Sequence, residues 1–269
     1  MKTSLLTALI LTYNEEDNIE RTLDSLQWLP NVLIIDSGST DRTLEMISRH
    51  PGAMVFHRRF DSFAEQCNFG LSKIQTPWVL SLDADYRVPP DLAEEILTTI
   101  NQKGDEGSAS FSAFRIPFRY CIAGKPLRST LLPPRTCLYR HEGAFYRNDG
   151  HGHRVVTQGP IGQLRSPLWH DDRKPLERWL SSQQSYMRIE AAKLRATPNQ
   201  ELSAADRLRK NTSLAPLAAL LMCLVWKGGV WDGWRGGAYA LQRAYAELLL
   251  RLYLLEDRIQ AAGKGSSSP

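Results

Sequence analysis

The chain has 269 residues, 42% apolar and 23% charged, with a formal charge of +4. This is ordinary globular composition with room for one large domain and a real core, which excludes a disordered chain. It also lacks the dense Lys/Arg stripe of a nucleic-acid binder, so no nucleic-acid partner is expected.

The first apolar run, LLTALIL at 5–11, is short. Acidic residues follow it at once and no small-residue cleavage site is present, so it reads as a buried strand of a cytoplasmic protein and not as a signal peptide. The loop TYNEEDN comes next, then a helix, IERTLDSLQWL, with Ile19, Leu23 and Leu26 on one face and Pro30 ending it. VLIID at 32–36 predicts a second buried strand, followed by the tight loop SGSTD, with Asp41 as N-cap of a helix RTLEMISRH. A third strand is expected at 53–57, a helix over 62–74, and a further strand from Trp78 to Leu82 that stops at Asp83-Ala84-Asp85. Strand, loop, helix in this rhythm describes an open parallel sheet, whose ligands bind beyond the carboxyl ends of the strands. Three polar loops, TYNEED, DSGSTD and DADYR, fall at that edge, and carboxylates gathered there repel one another unless a cation or a hydrogen-bonding ligand joins them.

A helix is expected over 91–101, capped by Asp91 or the preceding loop, and a strand over 111–122. Residues 123–172 are rich in Gly, Pro, Arg and His, with strand-like pieces TCLYRH, RVVTQG and GQLRS, and are expected to lie as irregular strands and loops across the sheet edge. From Pro175 the pattern turns helical, with Asp171 or Asp172 as cap. Residues 173–210 carry nine Lys/Arg against four Asp/Glu, a surplus that suits an anionic membrane surface or a solvated helix face. The uncharged run at 214–226 is short of the ~20 residues that span a bilayer. After the glycine-rich KGGVWDGWRGG, a last helix covers 238–258, and GKGSSSP reads as a disordered tail. The four cysteines, Cys67, Cys121, Cys137 and Cys223, lack metal-pair spacing and read as small buried hydrophobes.

Asp83-x-Asp85 at a strand end is the central motif. Two carboxylates at this spacing can hold Mg²⁺ or Mn²⁺ with a diphosphate completing the shell, and the metal then stabilises charge on a departing nucleoside diphosphate. On its own the pair is a weak signal, since capping aspartates in an ordinary turn look the same. Its place at the end of WVLSL, with two polar loops upstream, gives it weight.

The series LTYNEEDNI, IIDSGSTDRT, FAEQCNFGL and TPWVLSLDADYRV resembles the family 2 glycosyltransferases with a GT-A fold, and in particular bacterial lipopolysaccharide-core glucosyltransferases. The resemblance covers residues 5–90 closely and extends more loosely to about 255. It implies an α/β fold of GT-A type, a Rossmann-like, mostly parallel open sheet, with a C-terminal helical appendage. The implied division is a catalytic domain over 1–172, a helical region over 173–260 and a tail over 261–269. It implies that Thr12, Tyr13, Asn14 and Glu15 form the loop holding base and ribose, and that Asp36 accepts a hydrogen bond from uracil. Gln66 and Asn68 would lie on a helix whose start faces the nucleotide. Asp83 would contact ribose or metal, and Asp85 would bind the metal. A carboxylate reads an N–H donor well and a tyrosine ring can stack on a base; Asp41 is expected to cap its loop. His170 in WHDD stands where this branch has a histidine, as a further metal ligand or as a structural one. The general base is expected near NDGHGHRV, where relatives carry an acid after a histidine. Here Arg154 follows His153, so Asp149 is the nearest carboxylate, with His151 or His153 as substitutes. Arg135, Arg140 and Arg147 are candidates to steady phosphate or an anionic acceptor.

The expected activity is inverting transfer of a hexose, glucose from UDP-glucose, to a lipopolysaccharide-core or lipid-linked acceptor by a peripheral protein of the inner membrane. Residues 214–226 with Trp226, Trp231, Trp234 and the cations Arg207, Arg209, Lys210 and Lys227 are read as a membrane-interfacial element, or else as a hairpin packed on the catalytic domain or a second subunit. A sugar nucleotidyltransferase would show a glycine-rich basic loop after its first strand, whereas TYNEEDN is acidic and lacks glycine. A nucleotide-sugar-binding relative without turnover is the other alternative, with Arg154 in its favour and the intact Asp83 and Asp85 against it. The oligomeric state stays open.

Overall fold

The computed structural model describes residues 4–101, 111–149 and 152–265. It divides into two compact units, one of residues up to Pro126 together with Leu132–Arg173, the other of Leu127–Leu131 together with Lys174 onward.

The first unit is built on a seven-stranded sheet. Strands β1 (Leu6–Thr12), β2 (Val32–Asp36), β3 (Ala53–His57) and β4 (Trp78–Asp83) are parallel, and helices α1 (Ile19–Asp24), α2 (Thr43–Ser48) and α3 (Phe63–Leu71) connect them. Their strand order, β4-β1-β2-β3, means the chain winds outward from β1 and then returns to its other side. Beyond the carboxyl ends of strands at such a reversal, here between β1 and β4, is the usual place for a ligand in a sheet of this kind. The apolar runs are continuous because both faces are covered. Ala8, Ile10 and Ile34 pack with Leu23, Leu26 and Ile47 on one face, and Leu9, Leu33 and Ile35 pack with Ala64, Cys67 and Leu71 on the other. This is the mostly parallel open sheet that the resemblance implies. All four cysteines are buried and free.

Helix α1 ends at Asp24 and not near Leu29, and α2 starts at Thr43 with no side-chain cap at Arg42. After the two-residue strand β5 (Tyr86–Arg87) and helix α4 (Pro90–Asn101), the expected strand over 111–122 breaks at Pro117 into β6 (Ala113–Ile116) and β7 (Phe118–Ile122). Proline lacks the N–H that a central strand would need there. The segment expected to lie across the sheet edge instead extends the sheet. In the order β12-β6-β9-β4, β9 (Arg135–Arg140) runs antiparallel to both β4 and β6, and β12 (Ile161–Gln163) is parallel to β6. Between them, β10 (Phe145–Asp149) and β11 (Gly152–Val156) form a separate antiparallel hairpin. A four-stranded sheet, β5-β13-β7-β8, contains β8 (Lys125–Pro126) and the three-residue β13 (Leu168–His170).

The second unit is helical: α5 (Leu176–Ala196), α6 (Ala204–Asn211), α7 (Ala215–Leu221), a wide π turn at Met222–Trp226, a 3₁₀ turn at Gly229–Asp232, and α8 (Trp234–Gly265). Met187, Ala191 and Leu194 of α5 pack on Ala246 and Leu250 of α8. Arg209 joins three helices by bonding Glu247 at 2.9 Å, Glu190 at 2.9 Å and Asp206 at 3.2 Å. A Cβ on Gly236 would sit 2.0 Å from the Gly229 carbonyl oxygen, so backbone crosses backbone at the 227–237 turn and glycine is required. Asp171 and Asp172 do not cap α5, whose cap position is Pro175 with no side-chain bond. Both aspartates are held in the first unit, as described next.

Candidate active site

The register Thr12↔Asp36 and Leu11↔Asp83 brings the ends of β1, β2 and β4 to one level. At the end of β2, Asp36 is fully buried. Its carboxylate accepts hydrogen bonds from the Gly38 N–H (2.8 Å), the Ser39 N–H (3.0 Å), the Ser39 hydroxyl (2.5 Å) and the Thr12 hydroxyl (3.2 Å). Burial raises its proton affinity, but the bonds from Ser39, Gly38 and Thr12 outweigh that and hold the carboxyl below the usual range. Both Asp36 oxygens are thus engaged by its own loop, by Thr12 and by His57 at 3.4 Å, and no face of it lies open to a base.

The loop after β1 is stitched to the loop after β2. Asn14 takes the left-handed conformation (φ 54). Its amide oxygen accepts from the Thr40 N–H at 2.8 Å, and its own N–H donates to the Ser39 hydroxyl at 2.9 Å. The Glu15 N–H donates to the Thr43 hydroxyl, and Asp41 accepts from the N–H groups of Glu16 and Thr43. Asp41 is therefore a loop tie. Tyr13, at the crest, is 55% exposed.

Beyond Asp83 the chain continues as β5, which pairs with β13 so that His170 faces Tyr86 across the ladder. The Asp171 N–H donates to the Asp85 carbonyl at 2.9 Å. This pairing delivers His170 Nε2 to 3.2 Å from Asp85 Oδ2. Asp172 completes a cluster, since one ligand atom from each of Asp85, His170 and Asp172 lies within 4.8 Å of the others. The rings of Tyr86 and Tyr120 stand edge-on to His170 with centroids at 5.2 Å and 5.0 Å, and fix its orientation. Burial lowers the His170 proton affinity, but the Asp85 charge and hydrogen bond, with Asp83 and Asp172, raise it further, so the net shift is upward. Two carboxylates and an imidazole are a donor set that fits Mg²⁺ or Mn²⁺.

Two side chains brace this cluster. The Asn18 amide donates to Asp172 (3.1 Å) and to Glu15 (3.0 Å), and its oxygen accepts from the Arg21 side chain and the Arg173 N–H. Asp171, buried between His170 and Asp172, is ringed by Arg173 at 3.1 Å, Arg21 at 3.5 Å and Arg87 at 3.5 Å. Arg87 also lies over the Trp169 ring.

Gln66 and Asn68 occupy α3, but their amides are committed to protein partners. Gln66 bonds the Ser37 hydroxyl, the Arg58 carbonyl and the Arg58 side chain, while Asn68 clasps the backbone N–H and carbonyl of Tyr146. They shape the edge, with both Gln66 amide hydrogens and the Asn68 oxygen engaged by the protein. On the β10–β11 hairpin, His153 stacks on Phe63 with ring centroids at 5.7 Å. Burial, against the pull of Asp83 and with help from Arg135, lowers its proton affinity. Asp149 ends β10 opposite Gly152, and its side chain, like all of His151, lies outside the described residues. Of the arginines, Arg135 donates to the Tyr86 hydroxyl at 3.4 Å beside the Asp83–Asp85 turn, Arg140 lies over Trp78, and Arg147 pairs across the hairpin with Arg154.

Three participants escaped the sequence reading: Asn18, Asp171 and Asp172. The doublet after His170 was the available signal, but it reads equally well as a helix cap until β13 is seen to pair with β5.

The family description "Glycosyl transferase family 2" matches residues 7–118. Among curated proteins, the lipopolysaccharide core biosynthesis glycosyltransferase LpsC of Rhizobium meliloti is 24% identical over 199 residues, 70% of this chain and 73% of that one. An uncharacterized glycosyltransferase of Rickettsia typhi is 33% identical over 142 residues, with the alignment spanning 52% of this chain and 47% of the relative. Among solved structures, TarS of S. aureus in complex with UDP-GlcNAc aligns with a TM-score of 0.49 at 15% identity, over 97% of this chain and 92% of that one.

Proposed function

We propose that this chain, whose residues 7–118 match the family 2 glycosyltransferases, transfers a hexose, glucose first among candidates, from a UDP-sugar to a lipopolysaccharide-core or lipid-linked acceptor with inversion. The observation that carries the reading is the cluster of Asp85, His170 and Asp172 beyond the β1/β4 reversal, tied through Asn18 to the loop after β1. The similarity to LpsC supports the acceptor class. The work is placed at the cytoplasmic face of the inner membrane, by a peripheral protein.

In this reading Tyr13 offers its open ring to the base, and the Asn14–Glu15 backbone lines the ribose. Asp36 sets the shape of the Ser37–Ser39 loop, and direct reading of uracil by it requires that loop to open. Asp83 contacts the ribose or the metal. Asp85, His170 and Asp172 hold Mg²⁺ or Mn²⁺, which when bound supplies Lewis-acid stabilisation of the leaving diphosphate. Asn18 and Asp171 keep Asp172 and His170 in position. Asp149 takes the proton of the acceptor hydroxyl as it attacks the anomeric carbon. His153, whose proton affinity burial lowers, is the second candidate for that proton.

A nucleotide-sugar-binding relative without turnover is the second reading, because Arg154 stands where an acid is expected. UDP release from UDP-glucose, UDP-galactose and UDP-N-acetylglucosamine in the presence of lipopolysaccharide-core acceptor, with and without Mn²⁺, separates the two. Release by the wild type that Asp149→Asn abolishes supports transfer. Metal-dependent UDP binding without release from any donor selects the second reading, and no UDP binding at all removes both.

A further inference from the structure

We propose that the turn between α7 and α8, residues 225–235, is a membrane-binding corner that seats its tryptophans among the headgroups of an anionic bilayer. The inference deepens the peripheral-membrane part of the reading above and is independent of its chemistry.

The π turn closes with the Lys227 N–H on the Met222 carbonyl at 2.9 Å, and this wide turn swings Val225 and Trp226 outward. Trp226 is 82% exposed, Trp231 78% and Trp234 65%. Tryptophans so exposed in a row leave water in contact with a large apolar area, and the bilayer interface is the environment that suits an apolar ring with one polar N–H. The patch does not end at the turn. The side of α7 leading into it exposes Leu214, Leu217 and Leu221, and an apolar groove runs between Ala218, Leu221, Met222, Val225 and Trp226.

Charge decides which occupant fits. Between residues 207 and 246 the sequence carries a single acid, Asp232. That carboxylate is turned inward, accepting the backbone N–H of Arg128 at 2.9 Å and that of Ser129 at 3.4 Å. The rim is cationic: Arg128 and Lys227 are exposed, and half-buried Arg235 lays its guanidinium 4.7 Å over the Trp234 ring. A second copy of this corner would bring like charges together, whereas an anionic headgroup layer complements them. Arg209 and Lys210, named from the sequence as the basic neighbours, contribute little: Arg209 is held by Glu190, Asp206 and Glu247, and Lys210 donates to the Thr197 carbonyl. Among the described residues no helix is long and apolar enough to cross a membrane, so the corner lies in the interface plane. The exposed face of α8 continues the stripe from Trp234 through Leu241, Leu248 and Leu252, at spacings of seven, seven and four residues.

The test is co-sedimentation of the full chain with phosphatidylcholine vesicles, with and without phosphatidylglycerol. The wild type is expected to bind the anionic vesicles and to bind phosphatidylcholine weakly. Trp226→Ser with Trp231→Ser should lower the partition coefficient at least about tenfold. Arg128→Gln with Lys227→Gln should lower it about 25-fold, about fivefold per cation, on anionic vesicles only. Both pairs are exposed, and UDP binding measured on each variant should be unchanged, which separates a failure here from a failure of the nucleotide site. Equal binding by the tryptophan variant, or no binding by the wild type, overturns the proposal. A wild-type dimer that Trp226→Ser with Trp231→Ser renders monomeric, without vesicle binding, assigns the face to a second copy and also overturns it.

Discussion

Replacing Asp171 by Asn tests whether the region that presents His170 and Asp172 is organised by charge. The carboxylate is nearly fully buried and has Arg173, Arg21 and Arg87 at 3.1, 3.5 and 3.5 Å. At an effective dielectric constant of about 20, each attraction amounts to about 5 kcal/mol before desolvation. The three guanidinium groups repel one another, and burial, followed by repulsion from Arg173 and Arg87, already lowers the proton affinity of Arg21. Each arginine is also a quarter to two-fifths exposed, so solvent screens part of the gain. Asn keeps the shape but removes the charge that offsets the repulsion, and the net loss should be about 3 kcal/mol. In urea, with a slope of about 2–3 kcal/mol/M, the unfolding midpoint should fall by about 1 M. Mn²⁺ affinity should fall about tenfold in the same variant, because Asp171 sits between two proposed ligands. A midpoint within about 0.2 M of wild type, with unchanged metal affinity, would refute the idea that this charge cluster positions the site.

Three further outcomes are expected. Asp172→Asn should weaken Mn²⁺ binding about 10- to 100-fold by calorimetry while leaving the urea midpoint nearly unchanged, and equal affinity would remove Asp172 from the ligand set. Asp36→Asn should cost about 1–3 kcal/mol, because the amide cannot accept all four donors that the carboxylate accepts. The folded carboxyl lies below the ordinary value of 3.8, so the stability it adds is complete above that value and is lost as pH falls through the folded one. The gap between wild type and variant should therefore be flat above pH 4 and close below it. Gly70→Ala should cost about 1–3 kcal/mol in urea titration, since its Cβ would meet Leu9 at 2.4 Å and Ile35 at 3.3 Å where α3 packs on the sheet, and a neutral result would mean that this contact relaxes freely.

Much of the parallel half of the sheet is legible in the sequence because its strands are buried on both faces. LTALILT, VLIID and WVLSLD are continuous apolar runs, and each ends in the polar residues that form the site. The other half is harder to read. Strands β6, β9 and β12 have between three and six residues, too few for a periodicity to reveal that they join the main sheet. Strand β13 has three residues, and its pairing with β5 is what makes WHDD part of the site. A motif names residue types and leaves their hydrogen bonds unstated. Asp36, Gln66 and Asn68 stand where the family pattern puts them, yet their polar atoms are occupied by the protein's own loops and backbone. Asp41 does tie its loop, as capping residues do, but by bridging two loops and not by starting α2. In the helical unit, 214–226 reads as one apolar run, and nothing in its composition marks the change from α-helix to π turn at Met222 that points Trp226 outward.

The central claim is that Asp85, His170 and Asp172 form a metal-dependent nucleotide-sugar site at the β1/β4 reversal. Calorimetric titration of UDP into wild type and Asp85→Ala, each with and without Mn²⁺, tests it most directly. The account predicts wild-type binding that requires Mn²⁺ and falls by about 100-fold or more in the variant. Binding of equal strength without the metal, or unaltered by Asp85→Ala, would contradict it.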